Sequence, residues 1–130
     1  MSLRVGIDLV QISRITESVE RFGERFLRRV FTDGEIAYAT AAPARASERL
    51  AARFAAKEAT MKALGLVEEL GDWRNIEVLR LPSGACDLVL HGGVGEAAVR
   101  LGAGAFALSM THEGDYATAV VITTVEEAAP

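Results

Sequence analysis

From Arg4 to Val10 apolar and polar positions alternate, with Val5, Ile7 and Leu9 on one side of a period-2 repeat and Gly6, Asp8 and Val10 on the other. That period predicts a β-strand. It lengthens over residues 13–29, where Ile15, Val19, Phe22, Phe26 and Leu27 recur at helical spacing, with Ser13 as the expected N-cap and a break at Gly23. Thr32-Asp33-Gly34-Glu35 has capping-box spacing and predicts a short helix through Ile36 and Tyr38 to about Pro43. Residues 45–64 form the strongest helical segment. They are rich in Ala, Leu, Arg, Glu and Lys, hold no Gly or Pro, and stop at Gly65, a natural residue just past a helix end. Beyond it the period returns to that of strands, at Ile76–Leu79, Leu88–Leu90, Ala105–Met110 and Tyr116–Ile122, with turns at Pro82-Ser83-Gly84 and Glu113-Gly114-Asp115. Glu96 to Leu101, stopped by Gly102, predicts one more short helix. Strand, helices, then mostly strands describe an α+β fold with helices packed on one face of an antiparallel sheet. Residues 1–125 read as a single domain and 126–130 as a frayed tail.

Composition narrows this picture. Of 130 residues, 50% are hydrophobic and 25% charged, enough for a packed core and unlike a disordered chain. No apolar run approaches the ~20 residues that span a bilayer, so no membrane partner is expected. The opening residues lack a signal-peptide pattern. Cys86 is the single cysteine, which excludes an internal disulfide and makes a reducing, cytoplasmic address the expectation. Net charge is −4, which speaks against nucleic-acid binding, but the charge is polarised. Residues 1–65 hold 11 basic and 8 acidic side chains, residues 66–130 only 3 basic and 10 acidic. Arg14, Arg21, Arg25, Arg28 and Arg29 crowd the second predicted element. They make either a solvated helix face, tempered by Glu17, Glu20 and Glu24, or a docking surface for an acidic partner.

Three places carry candidate chemistry. Asp8 puts a carboxylate inside an apolar strand, which is costly unless it is paired, metal-bound or edge-exposed. Gly6, on the same face, removes a side chain and leaves room for a ligand. The segment Arg53-Phe54-Ala55-Ala56-Lys57-Glu58-Ala59-Thr60-Met61-Lys62 holds both lysines of a chain that uses arginine twelve times. Glu58 and Lys62 stand four residues apart on one helix face, either as an exposed ion pair or as a carboxylate and a compact cation beside phosphate. Ser109-Met110-Thr111-His112 ends a strand; a lone histidine there is a core or surface residue, or a ligand contact. His91, beside Gly92-Gly93, reads as a turn residue, and Gly93-Val94-Gly95 is too short for a dinucleotide fingerprint. Two carboxylates on different elements, with lysines beside one of them, suit a magnesium ion held against a diphosphate. No phosphate-binding loop of the ATPase type is present.

Taken in order, these stretches resemble the holo-acyl-carrier-protein synthases, the short bacterial class of 4′-phosphopantetheinyl transferases. Gly6-Ile7-Asp8-Leu9-Val10 with Ile12 and Arg14 is similar to the family's opening motif, and Arg21 to Phe26 with Phe31-Thr32 to Glu35 to its second. Arg53 to Ala59 with Lys62-Ala63-Leu64-Gly65 is the most specific signature, and Trp73 to Val78 and Ser109 to His112 complete the set. The resemblance implies transfer of phosphopantetheine from coenzyme A to a serine of apo acyl carrier protein, by a homotrimer with coenzyme A in clefts between subunits. It implies that Asp8 and Glu58 hold Mg²⁺, that Lys62 contacts the phosphates and assists loss of the serine proton, and that Arg53, Lys57, Gly65 and His112 bind coenzyme A. Arg14, Arg21 and Arg25 then dock the acidic carrier protein. The sequence departs from the family at Leu66-Val67-Glu68-Glu69-Leu70, where a threonine- and glycine-rich loop is usual, at Gly84-Ala85-Cys86, and at Thr111, where the family's Ser-x-Ser-His ending has a serine. A member that binds without efficient transfer, as a scaffold subunit of a carrier-protein pathway, is the alternative.

Overall fold

A computed structural model of the chain describes residues 1–66 and 71–126. In chain order the elements are β1 (Ser2–Gln11), α1 (Ile12–Phe22), α2 (Glu24–Val30), α3 (Asp33–Thr40), α4 (Ala46–Leu64), β2 (Ile76–Arg80), β3 (Cys86–Leu90), α5 (Gly92–Arg100), β4 (Ala107–Glu113) and β5 (Tyr116–Val125). The α+β expectation holds, but the strands divide into two antiparallel sheets. One is β1-β5-β4, with β1 at an edge; the other is the β2-β3 hairpin. No helix among the described residues is long and apolar enough to cross a membrane.

Local signals explain most element ends. Gly23 has φ 58°, a conformation that ends α1 and restarts the chain as α2. Gly65, at φ 69°, sits left-handed at the end of α4. The capping box forms as the spacing predicts: Thr32 Oγ1 accepts from Glu35 N, and Thr32 N donates to Glu35 Oε1. Ser13 departs from expectation. Helix α1 begins one residue earlier, and Ser13 instead donates from N and Oγ to the Asp115 carboxylate, at 3.0 and 2.7 Å. Asp115 therefore satisfies the helix N-terminus from the β4-β5 turn, a cap that local spacing cannot reveal.

Helix α4 is the centre of the molecule. It lies across β1 and β5, and Ala51, Ala55, Ala56 and Ala59 along it are fully buried. Small residues let its backbone ride close to the sheet. A Cβ on Gly6 would lie 1.8 Å from Ala59 O and 2.8 Å from Ala63 N. The room beside Asp8 is thus filled by helix backbone, which corrects the expectation that Gly6 opens space for a ligand. The alternation of β1 consequently runs opposite to the usual inside-apolar pattern. Gly6, Asp8 and Val10, paired with Val121, Ala119 and Ala117, share the helix-facing side. Leu3, Val5, Ile7 and Leu9 point away, 75%, 63%, 62% and 64% exposed.

The close approach predicts that Gly6→Ala, which must push helix and sheet apart, loses about 3 kcal/mol or more. Gly93→Ala, where nothing lies within 4 Å of the new methyl, serves as the control. Urea unfolding checks this; equal midpoints for Gly6→Ala and wild type would contradict the packing.

Candidate active site

Asp8 leaves β1 toward α4, where Glu58 and Lys62 stand on successive turns. The three line a cleft of about 450 Å³ together with Gln11, Arg14 and Phe54. Lys62 Nζ donates to Asp8 Oδ1 at 3.1 Å and to Ile7 O at 3.0 Å, and its side chain stays half-exposed. Burial and then the nearby Asp8 charge raise the Glu58 carboxyl above its usual range, and Lys62 pulls it back only partly. Two carboxylates and one ammonium leave excess negative charge, which a divalent cation relieves. The donor set suits magnesium: two hard oxygen side chains and, among the described residues, no third His, Cys, Asp or Glu completing a cage. The remaining octahedral positions are then open to water and phosphate oxygens.

A second cluster sits at the other end of α4. Arg53 and His112 line a cavity of about 280 Å³ with Tyr38, Arg45, Arg49 and Arg80. His112 Nδ1 lies 3.1 Å from Glu48 Oε1. Arg53 is buried, its guanidinium 4.3 Å from the Tyr38 ring centre. Tyr38, Arg45, Arg49 and Arg80 were not singled out by sequence reasoning. Arg45, Arg49 and Arg53 repeat every four residues, a one-face signal that was there to find. Arg80 reaches the cavity from β2, which no local pattern announces. The two clefts share no lining residue. Glu48 and Lys62 are fourteen positions apart on one helix, roughly 21 Å.

Arg14, Arg21 and Arg25 lie exposed on α1 and α2. Arg14 borders the Asp8 cleft, and Arg25 lines an apolar cavity of about 470 Å³ with Phe22, Phe26, Phe54 and Trp73. Phe26 and Phe54 border both spaces, so basic and apolar surface run up to the carboxylates. Gly65 closes α4, and Val67, Glu68, Glu69 and Leu70 of the departing loop fall outside the described residues, as does 127–130 of the expected tail.

Lys57 requires a correction. Expected at the phosphates, it is fully buried on the opposite side of α4 from solvent. Its Nζ donates to Glu35 Oε1 at 2.7 Å, to Trp73 O at 3.2 Å and to Ile76 O. Glu35 in turn accepts from Val78 N at 3.0 Å. All three ammonium hydrogens are engaged, so the residue fastens α4 to α3 and β2. Burial pulls its pKa down, and the Glu35 charge and hydrogen bond oppose that. His91 is likewise more than a turn residue: Nε2 lies 3.0 Å from Glu77 Oε1, and Thr32 Oγ1 donates to Glu77 Oε2 at 2.6 Å. Burial would raise the Glu77 carboxyl, but these partners outweigh it and hold it low.

Residues 4–121 match the model of the 4′-phosphopantetheinyl transferase superfamily. The chain is 47% identical to the holo-[acyl-carrier-protein] synthase of Koribacter versatilis over 123 residues, 94% of this chain and 98% of the relative. It is 45% identical to that of Solibacter usitatus, over the same shares of each chain. The coenzyme A complex of the Chronobacterium ammoniagenes synthase superposes with TM-score 0.84 at 33% identity, over 98% of this chain and 100% of that one. The Helicobacter pylori synthase, in complex with coenzyme A, gives 0.80 at 30% identity over 92% and 99%. The chain belongs to the 4′-phosphopantetheinyl transferase superfamily, in its holo-[acyl-carrier-protein] synthase class. It is thus an enzyme, a phosphopantetheinyl transferase.

Lys57→Met strands the buried Glu35 carboxylate and is expected to cost about 3–5 kcal/mol. Adding Glu35→Leu should recover part of the loss, because the two positions are coupled. Chemical denaturation measures both; an unchanged stability for Lys57→Met would return the residue to the candidate ligands.

Proposed function

We propose that this chain transfers 4′-phosphopantetheine from coenzyme A to a serine hydroxyl of an apo acyl carrier protein. Holo carrier protein and adenosine 3′,5′-bisphosphate are the products, and the reaction is Mg²⁺-dependent. It serves fatty acid or polyketide synthesis in the cytoplasm, where a lone free cysteine stays reduced. The observation that carries the reading is the separation of two complementary half-sites on one helix. One pairs carboxylates with a lysine, as a metal-bound diphosphate requires. The other gathers arginines around an anion-sized cavity. We further propose that two copies of the chain meet at each site, each contributing one end of α4. The exposed Leu3, Val5, Ile7 and Leu9 face supplies an apolar surface for such an assembly, for which we propose a homotrimer.

Asp8 and Glu58 would hold Mg²⁺, which supplies charge neutralisation at the diphosphate when bound. The chain's own residues do the rest. Lys62, half-exposed and tethered to Asp8, swings to the phosphate oxygens, where its charge assists loss of the serine proton to the Glu58 carboxylate. The serine oxygen forms its bond to the β-phosphorus as the bond to adenosine bisphosphate breaks. Arg53 and His112 hold coenzyme A at its far phosphate. Arg14, Arg21 and Arg25 orient the acidic carrier so that its serine enters beside Glu58.

Intact-protein mass spectrometry of apo carrier incubated with the protein, coenzyme A and Mg²⁺ should show one added phosphopantetheine group, abolished by EDTA. Asp8→Ala and Glu58→Ala should each slow the gain roughly 100-fold or more while remaining folded; full turnover in both would overturn the metal assignment. Arg14→Glu with Arg21→Glu should raise KM for carrier roughly tenfold and leave that for coenzyme A nearly unchanged. An equal rise in both constants would contradict the docking face.

A further inference from the structure

Arg49, Arg53 and Arg80 converge on one ring. Their guanidinium carbons lie 4.1, 4.3 and 5.4 Å from the centre of Tyr38. Arg80 Nη1 donates to the Tyr38 hydroxyl at 2.8 Å, and Arg49 Nη1 donates to the Tyr38 carbonyl at 2.8 Å. Arg53 Nη1 is held in turn by the Arg49 carbonyl at 3.3 Å. These side chains come from α3, α4 and β2, three elements that share no local sequence pattern.

Arginine stays protonated, so guanidinium groups this close repel one another unless something between them takes up positive charge. Among the described residues none of the three pairs with a carboxylate. Glu48, the one acid lining the cavity, is engaged by His112. The π face of Tyr38 accepts Arg49 and Arg53, and its hydroxyl oxygen accepts Arg80, so one residue relieves all three charges. One donor is left over. Arg53, 4% exposed, keeps its Nε buried without a hydrogen-bond partner. A buried donor in a cavity with excess positive charge is satisfied by an anion, and several guanidinium forks suit the oxygens of a phosphate.

We propose that Tyr38 is a positioning residue that holds Arg49, Arg53 and Arg80 as a preset cluster for a phosphomonoester dianion. Resting on the function proposed above, this dianion is the 3′-phosphate of coenzyme A, and Tyr38 sets preference for the 3′-phosphorylated donor. Tyr38 touches no reacting atom; it acts through the arginines, paying beforehand for an arrangement the phosphate would otherwise have to induce.

The test is calorimetric titration of wild type, Tyr38→Phe and Tyr38→Leu with adenosine 3′,5′-bisphosphate and adenosine 5′-monophosphate. Tyr38→Leu should weaken the bisphosphate about tenfold and the monophosphate less than about twofold. Tyr38→Phe, which keeps the ring and loses the Arg80 bond, should fall between, and it carries the test if the leucine variant does not fold. In turnover, KM for coenzyme A should rise with kcat nearly unchanged. Equal weakening of both nucleotides, or no change in either, overturns the proposal. Inorganic phosphate separates the two levels of the inference. If phosphate raises the melting temperature of wild type but not of Tyr38→Leu, while wild type binds both nucleotides alike, the cluster stands and the coenzyme A reading falls. If phosphate stabilises both proteins equally, the role of Tyr38 falls.

Discussion

The close approach of α4 to β1 is the constraint on which the rest depends. Only a strand position without a side chain allows Ala59 O so near the sheet, and only a helix of alanines has a face flat enough to use that opening. The contact fixes the height of α4 above the strand. At that height Lys62 reaches both the Asp8 carboxylate and the Ile7 carbonyl, and Glu58 lies near enough to Asp8 for the Asp8 charge to add to burial in raising the Glu58 carboxyl. A helix raised by one methyl group would still be a helix, but its Glu58 would no longer form one site with Asp8 of β1.

Height alone does not fix rotation. The buried Lys57–Glu35 pair does that, because a fully engaged ammonium admits one orientation of the helix about its axis. Glu35 is shared three ways, completing the α3 cap, accepting Val78 N and pairing with Lys57. The adjacent residue, Glu58, is thereby turned toward the cleft. The two lysines of the chain divide the work according to burial. One is enclosed and anchors; the other is half-exposed and paired with Asp8 at the cleft.

Much of this was legible in the sequence where the physics is local. The Thr32–Glu35 box, the break at Gly23 and the end of α4 at Gly65 all follow from neighbouring residues. The grouping of Asp8 with Glu58 and Lys62, which the fold brings into one cleft, was legible from the chemistry of carboxylates and lysines, not from local spacing. What escaped was tertiary. Nothing within Ala56-Lys57-Glu58 says which lysine is buried, since the partners that bury it come from residues 35, 73 and 76. Gly6 announces a vacancy without naming its occupant, and the occupant is helix backbone. Tyr38 stood only as a position in the short helix after Thr32, and its arginines arrive from α4 and β2.

In the proposed assembly labour is divided along α4, the carboxylate–lysine end of one copy and the arginine end of another meeting at each coenzyme A. Mixing an Asp8→Ala chain with an Arg53→Ala chain after joint refolding tests this directly, since each alone lacks one half-site. If sites form between copies, random mixing leaves about a quarter of them with both halves intact, and transfer to the carrier returns to that level. If a site lies wholly within one chain, no mixed assembly contains an intact one, and the mixture stays as inactive as its parts.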